Sequence, residues 1–138
     1  KIFPGCIHWH AKNGKAPGTL ELTLWPEERR AWFRIFYANG KTYPCWWDTD
    51  THIYANVTAE EESQYRLNSL RDVTKRIASI CKLDWFSTEI ALADEFVIVD
   101  YVNDEIDTRV QSLATDGVPD EIMESIARQL VKIAKENI

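Results

Sequence analysis

Residues 85–103 read WFSTEIALADEFVIVDYVN, and their pairing decides the fold. Two runs rich in β-branched and aromatic residues, Trp85–Leu92 and 96–102, flank the polar break Ala93-Asp94-Glu95. That pattern predicts two strands joined by a tight turn. If Asp94-Glu95 is a two-residue loop, Ala93 pairs with Phe96 and Glu89 falls directly opposite Asp100. A four-residue loop keeps this register; a three-residue loop does not. Directly opposed side chains have Cβ atoms about 4.5–5.5 Å apart, and like charges there destabilise a sheet. Two carboxylates facing each other inside apolar strands therefore need a reason.

The two-residue period sorts the hairpin into faces. Phe86, Thr88, Ile90 and Leu92 share one face with Val97, Val99 and Tyr101, and that face is expected to pack on a helix. Ser87, Glu89 and Asp100 share the other, which is expected to line a cleft. Two carboxylates on a cleft suit a hard cation such as Mg²⁺, which takes one or two protein carboxylates and completes its octahedron with water and phosphate oxygens. The alternative is that each acid sits on a solvated face or that the register is shifted.

A strand with an acid, a short turn and an apolar strand ending in an acid and an Asn resembles the carboxy-terminal half of an ATP-grasp domain. The resemblance implies that Glu89 is the first metal-binding acid, Asp100 the second, and Asn103 the amide beside them. Together they would hold Mg²⁺ or Mn²⁺ against the phosphates of ATP, with Asn103 also contributing to nucleotide binding. The chain departs from the family pattern. The first acid is more often Asp and the second more often Glu. The spacing Asp100-Tyr101-Val102-Asn103 is one residue longer than acid-x-Asn. In a regular strand this places Asn103 on the face opposite Asp100, so a bulge or strand end just after Asp100 is required.

Upstream, residues 19–25 (TLELTLW) alternate cleanly and read as a strand. Residues 31–38 (AWFRIFYA) and Lys41–Trp47 are strands around Asn39-Gly40, a strong hairpin signal. A type I′ turn there pairs Arg34 with Cys45, Phe33 with Trp46 and Trp32 with Trp47. Residues 19–47 are thus expected to form a three-stranded antiparallel meander. Pro44 lacks an N–H and needs an edge or an outward-facing position. Arg34 sits between Trp32 and Phe36 on one strand face. It either stacks on a ring in a structural role or points into the cleft as a phosphate fork. ATP-grasp domains often carry an Arg in the matching strand, so the resemblance makes Arg34 a catalytic and ATP-binding residue. Arg29 and Arg30 read as solvated charges, and Trp46 and Trp47 as packing residues.

Residues 48–56 read as a polar connector. Thr58-Ala59-Glu60-Glu61 is a capping box, and Glu60, Glu61 and Glu62 suit the positive end of a helix. One helix is expected to run to Lys82, with Leu70, Val73, Ile77, Ile80 and Cys81 as its apolar stripe on the hairpin. After Asn103, an acidic loop brings Asp107 and Arg109 either towards the cleft or into solvent. Asp116-Gly117 is a turn, and Pro119 opens a helix with Ile122, Ile126, Leu130, Ile133 and Ala134 inward. The order strands, helix, hairpin, helix gives an α+β fold. The sheet is expected to combine the meander and the hairpin, covered by two main helices.

The whole is bounded by 138 residues, enough for one domain over residues 1–138. Residues 1–18 read as irregular and 19–138 as the ATP-grasp-like lobe. Charged residues are 28% and the net charge is −6, which argues against nucleic acid or an anionic membrane as main partner. No apolar run is long enough to span a bilayer and no signal-peptide pattern is present. The three cysteines, Cys6, Cys45 and Cys81, are irregularly spaced, so a reducing cytoplasm is expected. Cys6, His8 and His10 alternate along one strand and either bind zinc or pack in an ordinary short strand.

The chain begins with Lys1, and it is expected to be a fragment of a longer protein. An ATP-grasp fold clasps its nucleotide between two lobes, and the lobe with the phosphate-contacting lysine normally precedes this region. By resemblance, the full protein would activate a carboxylate as an acyl phosphate and join it to an amine or thiol. Its partners would be a nucleotide, a small-molecule acid and the amino-terminal lobe; an exposed half-cleft rich in Trp also suggests a homo-oligomer. The isolated chain is expected to be inactive. The other readings are a non-catalytic binding or assembly module descended from that fold, and an unrelated α+β domain.

Overall fold

The computed structural model describes residues 24–25, 29–30, 32–92 and 96–136. Two short strands, β1 (Leu24–Trp25) and β2 (Arg29–Arg30), pair with each other and, among the described residues, with no other strand. The main sheet is built from β3 (Trp32–Ala38), β4 (Lys41–Trp47), β5 (Tyr54–Asn56), β6 (Trp85–Leu92) and β7 (Phe96–Asn103). All neighbours are antiparallel, in the order β5-β4-β3-β6-β7. The architecture is α+β, as expected.

Asn39 and Gly40 have φ of 47° and 78°, the two positive values that a type I′ turn requires. The turn sets Phe33 opposite Trp46 and Arg34 opposite Cys45, as expected. The ladder ends at Phe33, and beyond it the Trp32 and Trp47 rings lie 6.4 Å apart. Strand β5 pairs only with Cys45, Trp46 and Trp47, so Pro44 lies past its end, where no ladder partner asks for an N–H.

The expected meander is corrected in one respect. The second edge of β3 is taken by β6, from Trp32 opposite Ala91 to Ala38 opposite Trp85. The described part of the first expected strand is β1, outside this sheet; residues 19–23 lie outside the described residues, as do Cys6, His8 and His10. The third strand of the meander is instead β5, hidden in the segment read as a polar connector.

The expected single helix is two, α1 (Ala59–Gln64) and α2 (Leu67–Cys81). The capping box is present: the Glu61 N–H donates to Thr58 Oγ1 at 3.2 Å, and the Thr58 N–H donates to Glu61 Oε2 at 2.8 Å. The break falls at Tyr65 and Arg66, where Arg66 takes a left-handed φ of 52°. Tyr65 turns inward there and meets the Trp46 ring edge-on at 5.2 Å. Burying that ring offsets the cost of the strained residue. The stripe also differs. Leu67, Leu70, Thr74, Ile77 and Ala78 are buried, while Ile80 and Cys81 are exposed. Thr74 holds an inward position because its hydroxyl donates to Leu70 O at 2.9 Å.

Helix α2 covers one face of the sheet, over Phe33, Ile35, Trp46, Phe86, Ile90 and Ile98. The third main helix, α3 (Asp120–Glu136), covers part of the other, with Ile126 buried against Phe36, Ala38, Cys45 and Tyr54. No helix among the described residues is long and apolar enough to cross a membrane.

Residues 104–118 link β7, on one edge of the sheet, to the opposite edge. Ile106 and Val118 join the α3 side of the core, and Gln111 Nε2 donates to Tyr54 O of β5 at 2.7 Å. This strap is closed by the Gln111 N–H donating to Val118 O and the Val118 N–H donating to Arg109 O. Gly117 makes the closure possible. A Cβ there would lie 2.6 and 2.7 Å from the Val110 carbonyl carbon and oxygen and 2.9 Å from Ala114 O. These are backbone atoms and cannot step aside. Gly117→Ala is expected to lose about 1–3 kcal/mol, the cost of overpacking. Urea denaturation would measure it, and a stabilised variant would show that the strap yields.

Candidate functional site

The hairpin register is where the site is made. Leu92 pairs with Phe96, Ala91 with Val97 and Ile90 with Ile98. Three residues therefore separate the strands, the length expected to spoil the opposition of the acids. Phe96 and Ile98, not Val97, Val99 and Tyr101, accordingly share the α2 face with Ile90 and Leu92. Yet Glu89 stands opposite Asp100, because a bulge between these pairs adds one residue to β7. A second bulge follows, and Ser87 stands opposite Asn103. The extra residue in Asp-x-x-Asn is thus absorbed after Asp100, and Asn103 returns to the face of Glu89 and Asp100. Thr88, on the far face, donates its hydroxyl to Asp100 O at 2.8 Å and supports the irregular ladder.

Arg34 is opposite Glu89 across the other edge of β6. One of its Nη groups pairs with Glu89 Oε1, and its Nε donates to Ser87 Oγ at 3.0 Å. The guanidinium carbon lies 5.6 Å from the Trp47 ring centre. The ring contact is therefore observed, while the guanidinium donors of the expected fork are engaged by Glu89 and Ser87. On the far side Trp47 stacks on His52, with centres 5.5 Å apart and planes 15° from parallel. His52 adopts a left-handed φ of 60° in the β4–β5 turn.

Arg34 and Glu89 are 9% and 14% exposed along their side chains, so the pair lies largely out of water. Burial raises the Glu89 carboxyl above its ordinary range. Arg34 opposes this, while the Asp100 charge adds to it; Trp32 and His52 favour the ionised form. The buried Trp32 indole N–H makes no well-formed hydrogen bond, and Glu89 is the acceptor in its neighbourhood. Cys45 is fully buried. Burial pushes its thiol well up, and its S–H donates to Arg34 O at 3.3 Å.

Asp107 and Arg109 are exposed and taken up by the strap. Arg109 pairs with Asp107 at 2.6 Å and with Asp116 at 2.8 Å, and holds both carboxyls below their usual range. The solvated-loop reading of these residues is the one observed.

Arg34, Glu89, Asp100 and Asn103 thus share one face. Sequence reasoning put Ser87 on the cleft-lining face with Glu89 and Asp100 without a partner, and gave no site role to Trp32 or His52. The hydrogen bond of Ser87 to Arg34 depends on the pairing of β3 with β6, which the sequence alone does not give. His52 carries no sequence signal, since its place depends on the turn. Among the described residues no three His, Cys, Asp or Glu side chains converge. The hairpin register sets two carboxylates and an amide, Glu89, Asp100 and Asn103, on one face. Comparison of the chain with family models, curated proteins and solved structures gives no match in any of the three.

Proposed function

We propose that this face is the metal- and phosphate-binding half of an ATP-grasp-type nucleotide site, belonging to a ligase that activates a carboxylate as an acyl phosphate. The observation that carries the reading is the double bulge in β7, which keeps Glu89 opposite Asp100 and returns Asn103 to their side. A regular ladder needs neither irregularity, and bulges commonly re-aim side chains at functional sites. Bound Mg²⁺ or Mn²⁺ would neutralise phosphate charge. Glu89, Asp100 and Asn103 would hold it, and Arg34 would orient the phosphates.

The Arg34–Glu89 pair also favours a second reading, a non-catalytic module of the same descent. That pair balances its own charge without a metal ion. Thermal denaturation with Mg²⁺ tests the metal site. At about ten times its Kd, Mg²⁺ should stabilise the chain by about 1.4 kcal/mol. The gain should vanish in Glu89→Ala and Asp100→Ala. An unchanged melting curve at high Mg²⁺ would sink the metal site. Stabilisation by Mg²⁺ without added stabilisation by ATP in the native protein would select the non-catalytic reading.

A further inference from the structure

Glu89, on β6, is flanked by Arg34 on β3 and Asp100 on β7. Arg34 pairs with Glu89, while Asp100 stands across the hairpin from the same carboxylate. The cluster therefore keeps one uncompensated negative charge. The guanidinium is seated from two other directions, by Ser87 Oγ at 3.0 Å and by the Trp47 ring. Ser87 is fully buried, so its hydroxyl holds Nε without competition from solvent. Among the described residues the second terminal nitrogen of Arg34 has no hydrogen-bond partner.

We propose that Arg34, seated by Ser87 and Trp47, is a built-in counter-cation of Glu89 that a divalent metal ion must displace, so that metal and phosphate oxygens bind cooperatively. This rests on the metal-site reading above and adds a coupling to it. Two cations on one carboxylate repel strongly where the surroundings are poorer in water than bulk solvent. A metal alone therefore competes with Arg34. An anion alone finds the Arg34 fork engaged by Glu89. When both arrive, Glu89 turns to the metal, and the freed guanidinium donors meet phosphate oxygens whose geometry suits a planar fork. Ser87 and Trp47 keep the side chain in place throughout. Ser87 is a positioning residue here, acting through Arg34.

The test is Mn²⁺ titration of the nucleotide-free chain, with free Mn²⁺ read by electron paramagnetic resonance. Arg34→Met removes the competing cation and should tighten Mn²⁺ binding on the order of tenfold, within the usual span of coupling between sites. Ser87→Ala should tighten it in the same direction by less. A purely structural role for either residue predicts weaker binding or no change. Ser87→Ala deletes a single hydroxyl and decides the matter if Arg34→Met does not fold. Mn²⁺ binding that needs Glu89, shown by its loss in Glu89→Gln, but that neither variant tightens would overturn the counter-cation role and leave the metal site standing. If the wild-type chain binds no Mn²⁺, or binds it equally well as Glu89→Gln, the metal site itself falls, and this coupling with it.

Discussion

Arg34→Met should lower stability by about 3–5 kcal/mol at neutral pH, the range for removing one partner of a buried ion pair. The side chains are similar in length, so the loss comes mainly from leaving Glu89 charged, largely buried and facing Asp100. The deficit should depend on pH, with a definite sign. Burial already raises the Glu89 carboxyl, and Arg34 is the main group opposing that rise. Without Arg34 it rises further. A carboxyl whose folded pKa exceeds its unfolded value holds its proton more tightly when folded. Stability is then greatest below the unfolded value and falls as pH rises through the folded one. The gap between variant and wild type should thus be widest at neutral pH and narrow on acidification. Melting temperatures of both proteins across that range would show it, and a gap independent of pH would refute the assignment. Adding Glu89→Leu to the variant should restore most of the loss, since apolar replacements of a buried pair are often tolerated.

Phe33→Ala should cost about 3–5 kcal/mol, as for large aromatic truncations in a core. Phe33 is fully buried. Its ring centre lies 4.4 Å from that of Trp46 and 6.3 Å from those of Tyr65 and Phe96. It therefore joins β4, the break between α1 and α2, and β7 at one point. The truncation should also weaken the near-ultraviolet dichroism of Trp46, which loses the Phe33 ring 4.4 Å away. Guanidinium denaturation measures the first effect. A loss under about 1.5 kcal/mol would mean that the surrounding rings collapse into the space.

Much of this was legible in the sequence because it is local. Asn39-Gly40 determines a turn whose conformation needs two positive φ values, and the β3–β4 register follows. Thr58 and Glu61 mark a helix start by reciprocal hydrogen bonds three residues apart. The order of strands was less legible. Alternation marks residues 19–25 as strand-like but does not say which strand is their neighbour, and β6 takes the second edge of β3. The helix break at Tyr65 has no Gly or Pro to announce it, because it follows from a ring finding a place against Trp46 and Phe33. At the site, the opposed acids were expected on the basis of a two- or four-residue loop. The spacing is three, and a bulge restores the pair. Turn length and bulges are non-local compromises between ladder geometry and packing, so the opposition of the acids is observed while its route differs.

Those same irregularities shape what the outer margin of the sheet offers to other molecules. Among the described residues strand β7 is an edge, and an edge normally presents a row of unpaired amide and carbonyl groups. Here regular pairing runs only from Phe96 to Ile98 before the backbone is displaced, and it is displaced again before Asn103. A foreign strand laid alongside would lose register within a few residues. The distortion that aligns the acids inward thus also denies a template for amyloid-like growth outward, even with the apolar ring of Tyr101 half exposed on that rim.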